Sequence, residues 1–458
     1  MISTARNDMK WPKRILIALA VLIALAALLP FFVSLDDYIP RIEKQASARL
    51  GQPVSIKRIR LATLPWPHVT VEGVRMGRAD ELTLEQIRLT PGLLSLLQAT
   101  RVISSVEIES LMVTRKALDM IMALSASAAA EPSRPQAVRI EHIRLENVVL
   151  RLDKTDVGPF DARLTLDAAG KPGDISLTTR DGKLKATITP DQSNYLIDVS
   201  ARAWTLPAGP ALLFDELQIC GVATQKDARL DQVSARLYGG TVLGKIKLGW
   251  QKGMRLDGNL DIGELELRQV ASLLSPGSRI SGKLSAKPVF SAAAPAADKL
   301  AKALRLETDF RVRDGVLHGV DIQQAATQMT KKAATGGDTR FDQLSGHLLV
   351  SQGSRHLSQL QIASGALAAD GAVSISPQKE LSGRINAQVK LAGVGTKVPL
   401  NVSGTLDSPL LYPTGATIAG AAVGTAVMGP GFGTSVGAKV GNWAESLFES
   451  KPQPAPKR

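Results

Sequence analysis

The chain has 458 residues, of which 44% are hydrophobic but only 4% aromatic, and it carries a formal net charge of +13. The hydrophobic content excludes disorder over most of the length, which allows two or three ordinary domains or one long repetitive one. With so few aromatic residues, apolar surfaces must be built from Val, Ile, Leu and Ala, which favours a long, thin β structure. The only cysteine, Cys220, excludes an intrachain disulfide and a multi-cysteine metal site.

The first 35 residues predict a cytoplasmic stub and a transmembrane anchor. Ile15 to Val33 form a run of nineteen residues without a charge, which is long enough to cross the core of a bilayer. Four basic residues precede this run: Arg6, Lys10, Lys13 and Arg14. Such a flank stays cytoplasmic, so the bulk of the chain would lie across a single membrane pass, in the periplasm of a Gram-negative cell. A cleaved signal peptide is the alternative, because Ala24-Leu25-Ala26 is similar to a cleavage site.

One spacing of apolar residues recurs along the chain: five positions at successive steps of three, two, three and two. Three complete copies are Trp66, Val69, Val71, Val74, Met76; Ile103, Val106, Ile108, Leu111, Val113; and Ile140, Ile143, Leu145, Val148, Leu150. Partial copies are Phe214, Leu217, Ile219, Val222 and Leu357, Leu360, Ile362, Leu367. Residues two apart point to one side of a strand, and each two-residue gap predicts a bulge or tight bend that restarts the strand. The spacing therefore predicts strands with one apolar face.

Short helices are predicted at three places. Asp36-Asp37 is expected to cap a hinge helix that ends at Gly51 and carries Ile39, Ile42, Ala46 and Leu50. Thr90-Pro91 is expected to open a helix through Leu93 to Leu97 that caps an open end of the sheet. A helix within Val320 to Ala334 is expected to pack on the later sheet, because apolar residues recur there at helical spacing: Ile322, Ala325, Ala326 and Met329.

The fold class expected is mainly β. An N-terminal transmembrane helix would precede an elongated, curved antiparallel sheet that forms a groove or solenoid, with a few short capping helices. Stretches rich in Ala, Ser and Pro predict two linkers. The predicted regions are 1–35, stub and anchor; 36–124, N-terminal β region with short helices; 125–137, linker; 138–290, middle β region; 291–300, linker; 301–412, C-terminal β region; and 413–458, Gly-rich apolar segment and basic tail.

The Gly-rich segment from Gly415 to Gly441 contains one charged residue, Lys439, and its glycines are mostly four positions apart. As a helix, it would let another helix or a membrane approach closely. Pro430 and the glycines disfavour a helix, so an apolar loop is the equal alternative. In either form we expect this segment to contact a membrane or envelope proteins.

The sequence predicts no catalytic, metal or cofactor site, and hence no enzyme. The five histidines lack the spacing of metal ligands: His68, His142, His318, His347 and His356. The glycine-rich run 429–433 lacks the Gly-Lys-Ser/Thr of a phosphate loop, and Glu107 and Glu109 alternate on one solvated strand face. The basic residues are scattered over outer strand faces without interleaved aromatics, so nucleic acid is not an expected partner.

Several stretches resemble the AsmA family. In the N-terminal half they are Gly51-Gln52-Pro53-Val54-Ser55-Ile56, Leu64-Pro65-Trp66-Pro67-His68-Val69-Thr70-Val71, Leu93 to Leu97, and Val106-Glu107-Ile108. In the C-terminal half they are Phe310 to Ile322 (FRVRDGVLHGVDI) and Thr339 to Gly346 (TRFDQLSG). The resemblance, to a family related to TamB and YhdP, implies a periplasmic protein anchored in the inner membrane. It also implies an apolar β-groove associated with phospholipid transport or outer-membrane homeostasis, without catalytic residues.

The apolar side chains are the candidate site, because an acyl chain needs a continuous apolar surface without unsatisfied polar groups. The candidate lipid-binding, groove-lining residues are Val106, Ile108, Leu111, Ile143, Leu145, Val148, Leu360 and Ile362. Periodicity alone favours a closed solenoid core, whereas the resemblance favours an open groove. The expected function is binding or transfer of phospholipid along this groove in support of outer-membrane biogenesis, with phospholipids and the membrane as partners. The alternative is a tethered scaffold or assembly factor for outer-membrane proteins, without lipid transport.

Overall fold

The computed structural model describes residues 35–417, with gaps at 64–65, 93–94, 96–100, 119, 122–137, 153–154, 168–169, 208, 275–276, 297–298, 328–335, 366, 392–393 and 416. The predicted anchor, the linker 125–137 and nearly all of the segment 415–441 lie outside the described residues, as does most of the helix predicted at Leu93 to Leu97. In the described part, no helix combines the length and the apolar character needed to cross a bilayer.

The described chain is mainly β, as the sequence predicts. It divides into two compact units, residues 1–196 and 197–458, and the division falls within β10, Asn194–Thr205. The strands of the first unit are β1 (Val54–Ala62), β2 (His68–Met76), β3 (Leu82–Pro91), β4 (Arg101–Glu109), β5 (Met112–Thr114), β6 (Val138–Leu152), β7 (Thr155–Leu166), β8 (Pro172–Thr179) and β9 (Leu184–Asp191). The strands of the second unit are β11 (Leu213–Ala223), β12 (Asp227–Leu237), β13 (Gly240–Gly249), β14 (Met254–Glu266), β15 (Ile280–Ala286), β16 (Val289–Ala294), β17 (Arg305–His318), β18 (Asp338–Ser351), β19 (Ser354–Ala363), β20 (Leu367–Ile375), β21 (Leu381–Leu391), β22 (Val394–Gly404) and β23 (Pro409–Pro413).

Neighbouring strands of the first unit are antiparallel except at one place. β1 pairs with β2, β2 with β3, β3 with β4 and β5, and β6 to β9 pair in order. β6, however, runs parallel to β4 and β5. This corrects the prediction of an antiparallel sheet. The reason is the long connection 115–137 between β5 and β6, which gives the chain enough length to return and start again in the same direction.

Each complete copy of the recurring spacing has two gaps of two residues, and the second gap contains a bend in all three copies. Its second residue is Gly73, Ser110 or Asn147, with φ of +63°, +54° and +56°. This left-handed conformation adds a residue to the strand without moving the next apolar side chain to the other face. The predicted bend is confirmed at the second gap of each complete copy, whereas the first gaps, at 67–68, 104–105 and 141–142, contain no residue with positive φ. The partial copy from Leu357 to Leu360 has it as well, because Gln359 has φ of +52° and the register with β20 shifts there.

The second and third copies of the spacing lie side by side. β4 and β6 keep a constant offset in their parallel register, which pairs Ile103 with Ile140, Val106 with Ile143 and Ile108 with Leu145. β5 continues this offset and pairs Val113 with Leu150. Their bends also meet, because Asn147 Nδ2 donates a hydrogen bond to Ser110 Oγ at 3.2 Å. In the first copy, the first apolar residue is not part of the strand, because Trp66 precedes β2 and is 67% exposed.

A short helix covers the free edge of β1. The 3-10 turn Asp36–Tyr38 leads into α1, Ile39–Leu50, which ends at Gly51 with φ of +65°. Outward N–H groups of β1 donate hydrogen bonds to three side chains: Ile59 to Asp36 Oδ1 at 3.1 Å, Ile56 to Glu43 Oε1 at 2.7 Å and Val54 to Ser47 Oγ at 2.9 Å. These bonds satisfy an edge that another strand could otherwise join. The helix and its end were predicted correctly, but Asp36 bonds to β1 instead of capping α1, so the segment is fixed to the sheet and is not a hinge.

The second unit has a packed core under helices. β11 to β14 pair in order, β15 and β16 both lie between β14 and β17, and β17 to β23 pair in order. Three helices lie among the described residues of this unit: α2 (Leu267–Leu274), α3 (Leu300–Ala303) and α4 (Ile322–Thr327). α4 confirms the helix predicted from apolar spacing, and its Ile322, Ala325 and Ala326 are each 2% exposed within the core.

Two segments predicted as helix start or linker are strands. Thr90 and Pro91 belong to β3, and residues 291–294 of the predicted linker 291–300 belong to β16. In both places a neighbouring strand supplies partners, Ser105 for Thr90 and Arg305 for Ser291. Strand pairing therefore overrides the local signals of Pro and Ala there.

The bend at Asn147 generates a stability prediction. We expect Asn147→Val to lower the free energy of unfolding by about 1–2 kcal/mol, because a β-branched side chain is strained at positive φ. Asn147→Gly is expected to stay within about 1 kcal/mol of the wild type, because glycine adopts this conformation readily and only the bond to Ser110 is lost. Urea unfolding of the full chain in mild detergent measures both. Equal losses for the two variants would contradict the role of the bend.

Candidate functional site

Two rows of apolar side chains cross the sheet of the first unit from β1 to β9. Within each row the residues are direct partners in the strand register, one from every strand except the short β5. Row A is Leu61, Val69, Leu89, Val106, Ile143, Leu164, Ile175 and Ile188. Row B is Ile59, Val71, Ile87, Ile108, Leu145, Ala162, Leu177 and Ala186. Because residues two apart share a side of a strand, both rows lie on one face of the sheet, called here the apolar face.

The opposite face is polar. The positions between the two rows form a third register row: Arg60, Thr70, Arg88, Glu107, Arg144, Arg163, Ser176 and Thr187. Ion pairs join some neighbours, such as Arg88 Nη1 with Glu107 Oε2 at 3.2 Å. Such solvated pairs add little stability, so their main effect is to keep this face in water and fix which face is apolar.

Rows A and B keep contact with solvent. Of their sixteen residues, only Ile59 and Val106 are buried, and the other fourteen are half-buried. Among the described residues, a buried hydrophobic cluster covers the end of this face beyond the bends. There Leu50 of α1, Leu118 and Met120 pack against a buried cluster of Met76, Val113 and Ala117. The face is therefore closed at one end and open along both rows.

A charged contact holds the covered end in place. Lys116 Nζ lies 2.8 Å from Glu81 Oε1, and Ala79 N–H donates to Glu81 Oε2 at 3.1 Å. The Glu81 side chain is only 8% exposed. The hydrogen bond from Lys116, aided by that from Ala79, lowers the pKa of Glu81 to about 2. The carboxylate is thus ionised at neutral pH and ties Lys116, in the helical turn 115–118, to the end of the apolar face.

In the second unit, the corresponding apolar residues are covered. Ile362 is 9% exposed and belongs to a core cluster that includes residues of α4. Leu360 packs against this cluster. The register partners of Ile362 are Leu344 and Ala369, which are 6% and 7% exposed. The same sequence spacing therefore lies on an open face in one unit and in a closed core in the other.

The residues of rows A and B all fall within a stretch that matches a known family. Residues 9–195 match the model of the AsmA family. This part of the chain belongs to the AsmA family. The C-terminal stretches that resemble the family, at Phe310 to Ile322 and Thr339 to Gly346, lie outside the matched range. The chain matches no curated protein and no solved structure.

The AsmA-family region contains six of the eight residues predicted to line a groove. Row A contains Val106 and Ile143, and row B contains Ile108 and Leu145. Beyond the bends, Val149 N–H donates to Leu111 O at 2.8 Å, which places the backbones of Leu111 and Val148 side by side. The remaining two residues, Leu360 and Ile362, belong to the covered core of the second unit.

Sequence reasoning missed most of the apolar face. It did not select the row residues of β1, β2, β3, β7, β8 and β9. Their signal was the plain period-two alternation of short strands, as in Ile175 and Leu177, which alone does not say which strands are neighbours.

The apolar face of the AsmA-family region is suited to holding apolar molecules. Neither row contains a titratable or nucleophilic side chain. In the part of the chain that the structure describes, no group of three or more His, Cys, Asp or Glu side chains could hold a metal ion. Because the strand ladder pairs the backbone polar groups, a molecule lying on the rows meets hydrocarbon surface.

The low pKa of Glu81 generates a pH prediction. A carboxylate with a depressed folded-state pKa contributes stability above its ordinary pKa of 4.5 and loses it as the pH falls towards about 2. We therefore expect Glu81→Gln to lower the thermal unfolding midpoint at pH 7, and the difference from the wild type to shrink between about pH 4.5 and 2. Exposed Glu85 supplies the control, Glu85→Gln, for which no such difference is expected. A deficit of Glu81→Gln that stays constant at all pH values would contradict the assignment.

Proposed function

We propose that the AsmA-family region binds the acyl chains of phospholipids on rows A and B and lets them move along the rows. The observation that carries the proposal is the continuity of the two rows over eight strands, with fourteen of sixteen residues half-buried. A contiguous apolar surface that stays partly accessible to solvent is typical of a binding surface for apolar groups. The chain would act in the periplasm from an inner-membrane anchor and support outer-membrane homeostasis, as family membership suggests.

The length of rows A and B supports an elongated apolar ligand. Eight strands are separated by seven spacings of about 4.8 Å, so each row is about 34 Å long. An acyl chain spans about half of the bilayer hydrocarbon core, or about 15 Å. Each row is thus longer than one acyl chain, and a chain lying on it can shift along the row without leaving apolar surface.

The free energy expected for binding of one acyl chain favours movement of lipid along the rows over its storage there. Full burial of one methylene contributes about 0.8 kcal/mol, and a chain on an open face buries about half of its surface, giving about 0.4 kcal/mol per methylene. Ten methylenes then contribute about 4 kcal/mol, which corresponds to a dissociation constant of about 1 mM. Binding of this strength holds a lipid locally while allowing rapid exchange.

A photocrosslinking amino acid tests the proposal in intact cells. Placed at Leu145 of row B, it should crosslink phospholipid, because that side chain would contact acyl chains. Placed at the neighbouring Arg144, on the polar face, it should not. Mass spectrometry of the purified adducts identifies the crosslinked molecule.

Two outcomes would contradict lipid binding on this face. Equal lipid adducts at Leu145 and Arg144 would mean that the face has no selective role. Adducts to protein alone at Leu145 would favour the alternative of a tethered scaffold that binds envelope proteins.

A further inference from the structure

The outward side of α1 combines apolar and basic side chains. Tyr38 is 53% exposed and Ile42 41% exposed, and they lie one helical turn apart. Arg49 follows on the same stripe, with Arg41 and Lys44 at its flank, and all three are exposed. These five residues are called here the α1 surface. An exposed aromatic and an exposed aliphatic side chain surrounded by cations are typical of a helix that lies in a membrane interface.

Positive charge is concentrated around the α1 surface. Residues 36–62 contain six Lys or Arg and three Asp or Glu, a net charge of +3, whereas the whole chain of 458 residues carries +13. The cations Arg41, Lys44 and Arg49 form no ion pair with the described residues. The acidic Asp36 and Glu43 are engaged by the backbone of β1. The charge of the α1 surface is therefore available to anionic groups.

The α1 surface is rigidly connected to the first strand of the apolar face. The three hydrogen bonds from β1 to Asp36, Glu43 and Ser47 span α1 and the turn before it. The side of α1 that carries Glu43 and Ser47 faces β1, so Tyr38, Arg41 and Arg49 lie on the side away from the sheet, and Lys44 lies between the two sides. Whatever binds the α1 surface therefore also fixes the orientation of β1.

The sequence that precedes the described residues indicates which partner the α1 surface contacts. The uncharged apolar run Ile15 to Val33 ends two residues before Leu35, where the described structure begins. A segment so close to a bilayer-length apolar run starts at the membrane surface. Anionic headgroups attract basic segments next to the membrane, and Tyr favours the headgroup level.

From this we infer that the α1 surface docks on an anionic phospholipid bilayer and holds β1 next to it. The docking is distinct from acyl-chain binding on rows A and B and does not require it. Where both occur, β1 would be the strand at which lipid first reaches the rows.

Fluorescence quenching in nanodiscs tests the docking. The full chain with Cys220→Ser and Ile42→Cys is labelled with an environment-sensitive fluorophore and placed in discs containing phosphatidylglycerol and doxyl-labelled lipid. We expect quenching at residue 42. Removing the cations with Arg41→Gln, Lys44→Gln and Arg49→Gln should lower the ratio of docked to undocked α1 about five-fold per charge. The control Arg163→Gln, Lys171→Gln and Lys185→Gln changes the net charge equally at exposed sites of the same unit and should preserve quenching.

The outcomes separate this inference from the proposed function. Quenching that is absent in anionic discs, or that survives neutralisation of the three α1 cations, would overturn the docking. The same would follow if the chain failed to associate with anionic discs. Lipid crosslinks at Leu145 are measured independently, so one proposal can fail while the other stands.

Discussion

The structure of the first unit depends on strand register. Eight strands keep their partners aligned so that sixteen apolar residues form two rows and the residues between them form a polar row on the other face. A slip of one residue in any strand would move its apolar side chains into water and its charged ones onto the apolar face. The bends at Gly73, Ser110 and Asn147 preserve this alignment, since each inserts a residue at positive φ and returns the next apolar residue to the same side.

The spacing and the bends could be predicted from sequence because they are local. A gap of two residues between apolar pairs is visible without knowing any partner, and Ser110, Asn147 and Gln359 have the expected backbone. Partner choice is not local. Nothing in the alternation of β6 indicates that it runs parallel to β4, since that depends on the connection 115–137.

The same limit explains why the candidate site could be predicted only in part. Leu145 and Ile362 occupy equivalent positions of one spacing, and the spacing alone cannot distinguish an exposed position from a covered one. Leu145 is half-buried on an open face, whereas Ile362 lies in a core shared with α4. The difference arises because α4, which lies 35 or more residues before Ile362 in the sequence, packs on the strands of the second unit. Periodicity therefore identified strands, while tertiary packing decided which of them stay open.

The central claim is that rows A and B form a surface for acyl chains. Its most direct test is to measure, by mass spectrometry, the amount of phospholipid that stays with the full chain on gentle detergent extraction. The variants are Leu177→Asp and Ser176→Asp, adjacent half-buried residues of β8 that lie on opposite faces. With folding checked by circular dichroism, we expect several-fold less lipid per chain for Leu177→Asp and no change for Ser176→Asp, because only the first places a charge on the apolar face. Equal lipid content in both variants and the wild type would contradict an acyl-chain surface formed by rows A and B.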